Sequence, residues 1–460
     1  MLNPTTSVAV RIGTRFVPCL ALLFWLLTPT PSGGVETPAH EPCNYLVTAD
    51  TDVVDGNQAR YAAGPGTVIC LAPGERGNLK LINLHGSLEA PVLVRNAEGP
   101  AIITGRKFEA GILIAASTHL RITGTGVASE CGAGVQPEEQ ACGIRLEGTN
   151  KGIRALTSRG PMQDIEIDHV SIARLSVSSD TRGIAIHPVE KQVITGIRIH
   201  HNRVSGAGAE AIYVGSEPRD TPWADLGKVD AVEIGHNLIE DIGWDGIKLK
   251  VALGESRIHD NVIRNSGMAR YEKHQSGITV AMSVVDVHDN AVSGAPEGIK
   301  SGRSVAGSTN RFHGNLVTDV LVFGIQTEDA AAQIYNNTVA GSGQFGIRAR
   351  GEASRIIDNI VADAPEPIVA RPDARLSGNL VGSIADVGFV DPEQDDFRPR
   401  EESAAVGRGR ITRLDLCARA GMRAGRPVRF SIHAGQPGPT GPVGCRADLG
   451  AGPSSRYRLP

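Results

Sequence analysis

Aromatic side chains make up only 4% of the 460 residues, and three of the residues are tryptophan. A core organised around large rings is therefore excluded, and aliphatic side chains have to fill it. Charge of one sign is also missing. Lys and Arg number 46 against 50 Asp and Glu, interspersed, for a formal net charge of −4. That balance leaves no polybasic footprint, so neither a nucleic-acid partner nor an anionic membrane surface is expected. No C-x-x-C pair occurs, which removes the common zinc spacings. No window sustains a 3.6-residue apolar period, and this argues against helical repeats.

The longest apolar run, Phe16 to Leu27, is too short for the ~20 residues of a bilayer span. Arg11 and Arg15 precede it and Pro and small residues follow. That order reads as a secretory signal over residues 1–34, and the mature form is expected to carry no membrane span and to be secreted, periplasmic or at the cell surface. Export permits disulfides. Beyond Cys19, within the signal, six cysteines remain: Cys43, Cys70, Cys131, Cys142, Cys417 and Cys445. The simplest pairing is sequential, although six cysteines allow 15 connectivities.

What the chain has in quantity is glycine, 55 residues, and one recurring phrase. "IRIHHNRV", "VEIGHNLI", "SRIHDNVI", "VDVHDNAV", "RFHGNLV", "QIYNNTV", "RIIDNIV" and "RLSGNLV" place asparagine at Asn202, Asn237, Asn261, Asn290, Asn315, Asn337, Asn359 and Asn379. A second phrase, as in "EAIYV", "DGIKL", "SGITV" and "FGIQT", keeps step with it. Apolar residues alternate with polar ones, the two-residue period of a strand with one buried face. Units this short cannot bury that face alone, so they must stack coaxially. The asparagines fall where the chain corners and are expected to tolerate a left-handed conformation and form an internal amide ladder.

These phrases resemble the right-handed parallel β-helix proteins of the pectate-lyase-like superfamily, over about Gly66 to Gly388. "PVLVRN" within the opening turns, and "DFRPREESAAVGRG" with the later "DLGAG", are similar to the opening and closing segments of secreted bacterial members; Ala404 stands where a Pro is usual. The resemblance implies an all-β solenoid, with an N-terminal cap over residues 35–65, the β-helix over 66–400 and a C-terminal capping segment over 401–460. A monomer is expected.

Stacking converts register into columns ~4.8 Å apart. With the Ile of each Gly-Ile phrase turned inward, the next residues form an outward column of Ala185, Tyr213, Lys248, Thr279, Lys300, Gln326 and Arg348. Lys250 lies two residues further along its strand, and Glu210, Asp245 and Glu297 lie just before the Gly or Ala. Two long insertions, residues 216–230 and 266–277, flank this face, and insertions of that kind are usually functional walls or excursions. Trp223, Trp244, Tyr213 and Tyr271 gather there with His274, and rigid rings beside ionised groups suit an extended sugar chain.

Elimination on a uronic-acid polysaccharide needs a base near C5 and positive charge to offset the carboxylate. Lys250, Lys248, Lys300 and Arg303 are candidates for the positive charge, with a lysine whose pKa is lowered by its cationic neighbours as the base and Asp245 beside them; Lys250 is expected to matter most. Glu210, Asp245 and Glu297 are candidate Ca²⁺ ligands. "DGIKLK" resembles the carboxylate-then-lysine stretch of chondroitinase-B and alginate-lyase type β-helices, with one carboxylate where that family has a close pair and no arginine on the next strand. A retaining glycosidase would instead use Glu210 and Asp245, but the Asp-Asp and Gly-His-Gly phrases of polygalacturonases are absent, and elimination ranks above hydrolysis. His200, His259, His288 and His313 recur two residues before the ladder Asn; on a flat strand such a column does not converge, so these are expected to be ordinary exposed histidines. The rival to an enzyme is a non-catalytic glycan-binding or structural β-helix.

Overall fold

The computed structural model describes residues 42–125, 142–175, 180–217, 221–302 and 304–406. The signal segment, Cys131, Arg303, Cys417 and Cys445 lie outside the described residues. Three sheets of fourteen, twelve and twelve strands account for almost every strand, and all their pairings are parallel. Each full turn of the coil, or rung, contributes one strand to each sheet. Ser256–His259 joins the first, Val262–Arg264 the second and Ser276–Ala281 the third. The chain is a right-handed parallel β-helix, the hand imposed on parallel crossovers by right-twisted strands.

The interior is a set of aliphatic columns. In the first sheet Ile167, Ile199, Ile234, Ile258, Val287, Phe312, Ile334 and Ile356 are register partners, all fully buried. In the third sheet Ile184, Ile212, Ile247, Ile278, Ile299, Ile325 and Ile347 do the same. Each such side chain contributes on the order of 1.5–3 kcal/mol through burial.

The asparagine ladder is continuous. The Nδ2 of Asn202 donates to Oδ1 of Asn237 at 3.1 Å, and the same contact repeats at 2.9–3.0 Å through Asn261, Asn290, Asn315, Asn337, Asn359 and Asn379. The left-handed residue is not the asparagine but the one before it: His201, His236, Asp260, Asp289, Gly314, Asn336, Asp358 and Gly378 all have φ between 52° and 69°. The reason is a division of labour. The preceding residue makes the corner, which leaves the asparagine free to turn its amide inward, and His, Asp, Asn and Gly are types that tolerate this region.

Cys43 and Cys70 form a disulfide with Cα atoms 5.7 Å apart, joining Tyr45–Val47 to its partner strand Val68–Leu71 at the start of the coil. Cys142 is also disulfide-bonded. After the last rung strand, Leu380–Gly382, a capped turn of helix, Ile384–Val387, leads into an antiparallel pair, Phe389–Asp391 with Asp396–Pro399. Val387, Phe389, Phe397 and Ala405 join the outer apolar column Leu238, Val262, Ala291, Leu316 and Ile360 in a second core separate from the interior. Among the described residues no helix is long and apolar enough to cross a membrane.

Candidate functional site

The outward column of the third sheet has the register expected from the sequence: Ala185 pairs with Tyr213, Tyr213 with Lys248, Lys248 with Thr279, and Thr279 with Lys300. Burial departs from expectation. Lys248 was expected on a solvated face, yet it is 1% exposed, and Glu210 and Asp245 are fully buried. Segments flanking the third-sheet strands cover them. His274, from the 266–277 insertion, and Glu217, from the other, both reach Lys248.

Lys248 is the centre of the cluster. Its Nζ lies 2.9 Å from Glu210 Oε1, 2.8 Å from His274 Nδ1, and 3.7 Å from both Asp245 Oδ2 and Glu217 Oε1. An ammonium has no acceptor, so Nδ1 of His274 accepts and the ring proton sits on Nε2. Arg182 donates to the other oxygen of Glu210 at 2.8 Å and to Asp180 at 2.6 Å. Burial opposes ionisation of Glu210, but the neighbouring Lys248 and Arg182 charges outweigh it and hold the carboxyl well below its usual range. Asp245 goes the other way. Its Oδ1 accepts from the Ser276 amide at 2.9 Å and the Thr279 hydroxyl at 3.2 Å, while Oδ2 has no hydrogen-bond partner, and burial pushes its pKa up to about 6. Two carboxyls with separated ionisation therefore share one lysine.

Nearer the surface, the buried Tyr213 hydroxyl donates to Glu217 at 2.7 Å, and Lys250 contacts the other oxygen of Glu217 at 3.4 Å. Burial, then the Lys248 charge, lowers the pKa of Lys250. Trp244 and Tyr271 stack at 5.0 Å with planes 10° apart, and His274 abuts both rings at 4.5 and 5.4 Å. Beside Tyr213 and Glu217 opens a cavity of 390 Å³, lined also by Asp180, Arg182, His187 and Leu226. Burial holds His187 neutral, near 4, with Nδ1 on the Gly215 carbonyl at 2.9 Å.

Of the residues singled out from sequence, Glu210, Asp245, Lys248, Lys250, Tyr213, Trp244, Tyr271 and His274 come together. Lys300 and Glu297 form a neighbouring pair, 3.0 Å apart, tied to Ser276. Trp223 is exposed with Lys228 over its ring at 5.5 Å, and no ring contact or hydrogen bond links it to the cluster among the described residues. Glu217, Arg182 and His187 were not singled out. Arg182 and His187 stand one rung before Glu210 and Gly215 in register, but nothing in local sequence marks Glu217, whose role comes from an insertion folding back.

Ca²⁺ does not fit here. Glu210, Asp245 and His274 have ligand atoms within 4.8 Å of one another, but the Lys248 ammonium already lies among them, and Glu297 belongs to the Lys300 pair. A hard cation needs six to eight oxygens, and here it would meet a fixed positive charge.

Comparison with known proteins gives similarity at two levels. Residues 149–354 match the family described as NosD, periplasmic copper-binding protein. No curated protein sequence matches the chain. Similar solved structures include an alginate lyase from Paenibacillus sp. str. FPU-7, at 16% identity over 72% of this chain and 99% of that one with a TM-score of 0.43. A PL6 family polysaccharide lyase from Pseudopedobacter saltans shares 12% identity over 78% and 97%, TM-score 0.41. A GH136 lacto-N-biosidase from Eubacterium ramulus shares 14% over 73% and 67%, TM-score 0.40.

Proposed function

We propose that this is a secreted or periplasmic protein that acts on an acidic polysaccharide by β-elimination, along the face from Arg182 to Lys300. The observation that carries the reading is the convergence of Lys248, Lys250, His274 and Arg182 beside the stacked Trp244–Tyr271 pair and a cavity of 390 Å³. The rings offer a sugar-stacking platform. Lys250, partly exposed and with a lowered pKa, takes the C5 proton in its neutral form. The C4–O bond then breaks, a C4–C5 double bond forms, and the departing oxygen receives a proton from Nε2 of His274 as Nδ1 takes one from the Lys248 ammonium. Arg182 and the buried Lys248 supply the positive potential that stabilises charge developing at the uronate.

The second reading, glycan binding without turnover, is favoured by one fact: Glu210 and Lys248 are buried and satisfied by each other, as in a structural ion cluster. Copper handling, which the matched family's description names, gains nothing from this face, where lysine occupies the centre.

The test is absorbance at 232 nm, which reports the unsaturated uronate, across alginate, pectate and glycosaminoglycans with and without chelator. Elimination predicts a chelator-insensitive rise on at least one substrate, falling at least ~100-fold in Lys250→Ala, the lower range for a positioned acid or base. Glycan binding without any rise selects the second reading, and neither overturns both.

A further inference from the structure

On the outer edge of the first sheet, histidines stack as the asparagines do inside. The rings of His259, His288, His313 and Tyr335 lie 4.7–5.1 Å apart with planes within 9° of parallel. They are half-buried and mutually stacked rather than the separate exposed histidines expected from sequence. Parallel stacked rings aim their in-plane lone pairs side by side, so they cannot converge on one ion. The column stops at His259, whose partner one rung earlier is Gly235; the ring it meets there is that of His236, which stacks on His201 at 4.7 Å and lies 5.4 Å from His259, perpendicular at 89°.

The break has a cause in the sequence. His259 and Gly235 are register partners. A Cβ at Gly235 would lie 2.7 Å from Cε1 and 2.9 Å from Nε2 of the His259 ring. The missing side chain leaves room for that ring to lie over the previous rung, where His236 occupies the left-handed corner. Asp260 occupies the next corner, and both corner residues have positive φ, 55° and 52°.

The result is a convergent set. His259 Nδ1 is 2.8 Å from Asp260 Oδ2, and His236 Nε2 is 4.0 Å from the same oxygen. The second distance is too long for a hydrogen bond, yet it is the span an ion held ~2.0–2.2 Å from each atom would bridge. His236 Nδ1 is buried with no hydrogen-bond partner, and Nε2 has no partner closer than that oxygen among the described residues. No Lys or Arg is ion-paired with Asp260 among the described residues. The neighbouring set of Glu166, Asp168 and His200 lacks this property, since Arg121 and Arg198 already hold its carboxylates. All three side chains of the open set keep some solvent access, 28%, 12% and 23% for His236, His259 and Asp260.

We propose that His236, His259 and Asp260 form a binding site for one late first-row divalent cation, with the cradle at Gly235 shaping it. Two imidazoles and a carboxylate suit Zn²⁺ and Cu²⁺, with Cu²⁺ the tighter. This goes beyond the polysaccharide reading and uses none of its residues.

The experiment is titration of the untagged, chelator-stripped mature chain with Cu²⁺, and separately Zn²⁺, in competition with a chromogenic chelator. His259→Gln and Asp260→Asn should each lower affinity at least ~100-fold, above the 10–100-fold typical of outer partners. Gly235→Ala retains every ligand and should still lower affinity ~10-fold or more by displacing the ring. His313→Gln, a stacked residue outside the set, should bind as the parent does. Far-UV circular dichroism checks that each variant is folded, and the electron paramagnetic resonance spectrum of the Cu²⁺-loaded parent, needing no substitution, should show coupling to two nitrogens. Parent-like affinity in folded His259→Gln or Gly235→Ala, an equal loss in His313→Gln, or a spectrum without nitrogen coupling would overturn the site.

Discussion

Two regions of this β-helix hold nearly the same chemical groups and come out differently. Glu210, Asp245 and His274 enclose the Lys248 ammonium, 2.9 Å from one carboxylate and 2.8 Å from the imidazole. His236, His259 and Asp260 enclose no Lys or Arg among the described residues; His259 lies between Asp260 and Glu233, at 2.8 and 3.2 Å, and Nδ1 of His236 is buried with no hydrogen-bond partner. The types of acid and base are the same in both. What differs is whether a lysine of the chain sits inside the set. Where it does, the set becomes an ion cluster beneath a candidate cleft; where it does not, the set is left open to an external ion.

The strongest way to break this contrast is to remove the cation. Lys248→Ala leaves two fully buried carboxyls without it, and loss of one partner of a buried pair should cost about 3–5 kcal/mol. Thermal melting would show the loss. Added Ca²⁺ should raise the melting temperature of the variant and leave the parent unmoved; equal responses would mean that Lys248 is not what excludes a metal.

Protonation sharpens the same point. Asp245 has a folded pKa of about 6 against roughly 3.9 in an unfolded chain. The folded state therefore binds the extra proton between these values. The stability from this carboxyl is fully present below about pH 4 and is lost as pH rises through 6. Relative to Asp245→Asn, the parent should lose on the order of 2–3 kcal/mol across that window, read from urea midpoints at its two ends. A constant difference between the two proteins would refute the assignment.

A substitution under the open set gives a smaller effect. Asn261→Ala removes donors to the carbonyls of Ile234 and His259 and to Asn290, leaving buried groups unpaired at a cost of about 1–3 kcal/mol. Because the His259 carbonyl loses its partner, metal affinity at the neighbouring corner should also weaken in the same titration. The least effect on stability is expected at Lys250. It is partly exposed and, among the described residues, paired only with Glu217 at 3.4 Å, so Lys250→Ala should shift stability by no more than ~1 kcal/mol while removing the turnover assigned to it.

Much of the fold was legible. The alternation of Ile with polar residues, the recurring asparagine and the Gly-Ile phrase are local, and each needs only the two-residue strand period and a corner to be read. The outward column from Tyr213 to Lys300 followed from the same register. The corner conformation was misplaced by one residue, because His, Asp and Asn all tolerate positive φ and sequence does not say which of two neighbours takes it. The site was legible only in part. Lys248 was read as solvated because strand alternation gives direction and carries no information about what later covers the strand. Glu217 left no mark at all.

The sequence by itself determined the coil, its columns and its ladder, since stacking repeats carries local pattern directly into three dimensions. Only tertiary structure decided which outward groups are buried, which carboxyl lies beside a lysine, and where two histidine rings turn perpendicular. These depend on insertions folding back over the rungs and on a single missing Cβ at Gly235 facing a ring 24 residues later in the chain. Desolvation and convergence of lone pairs are properties of what surrounds a side chain, and residues distant in sequence supply those surroundings.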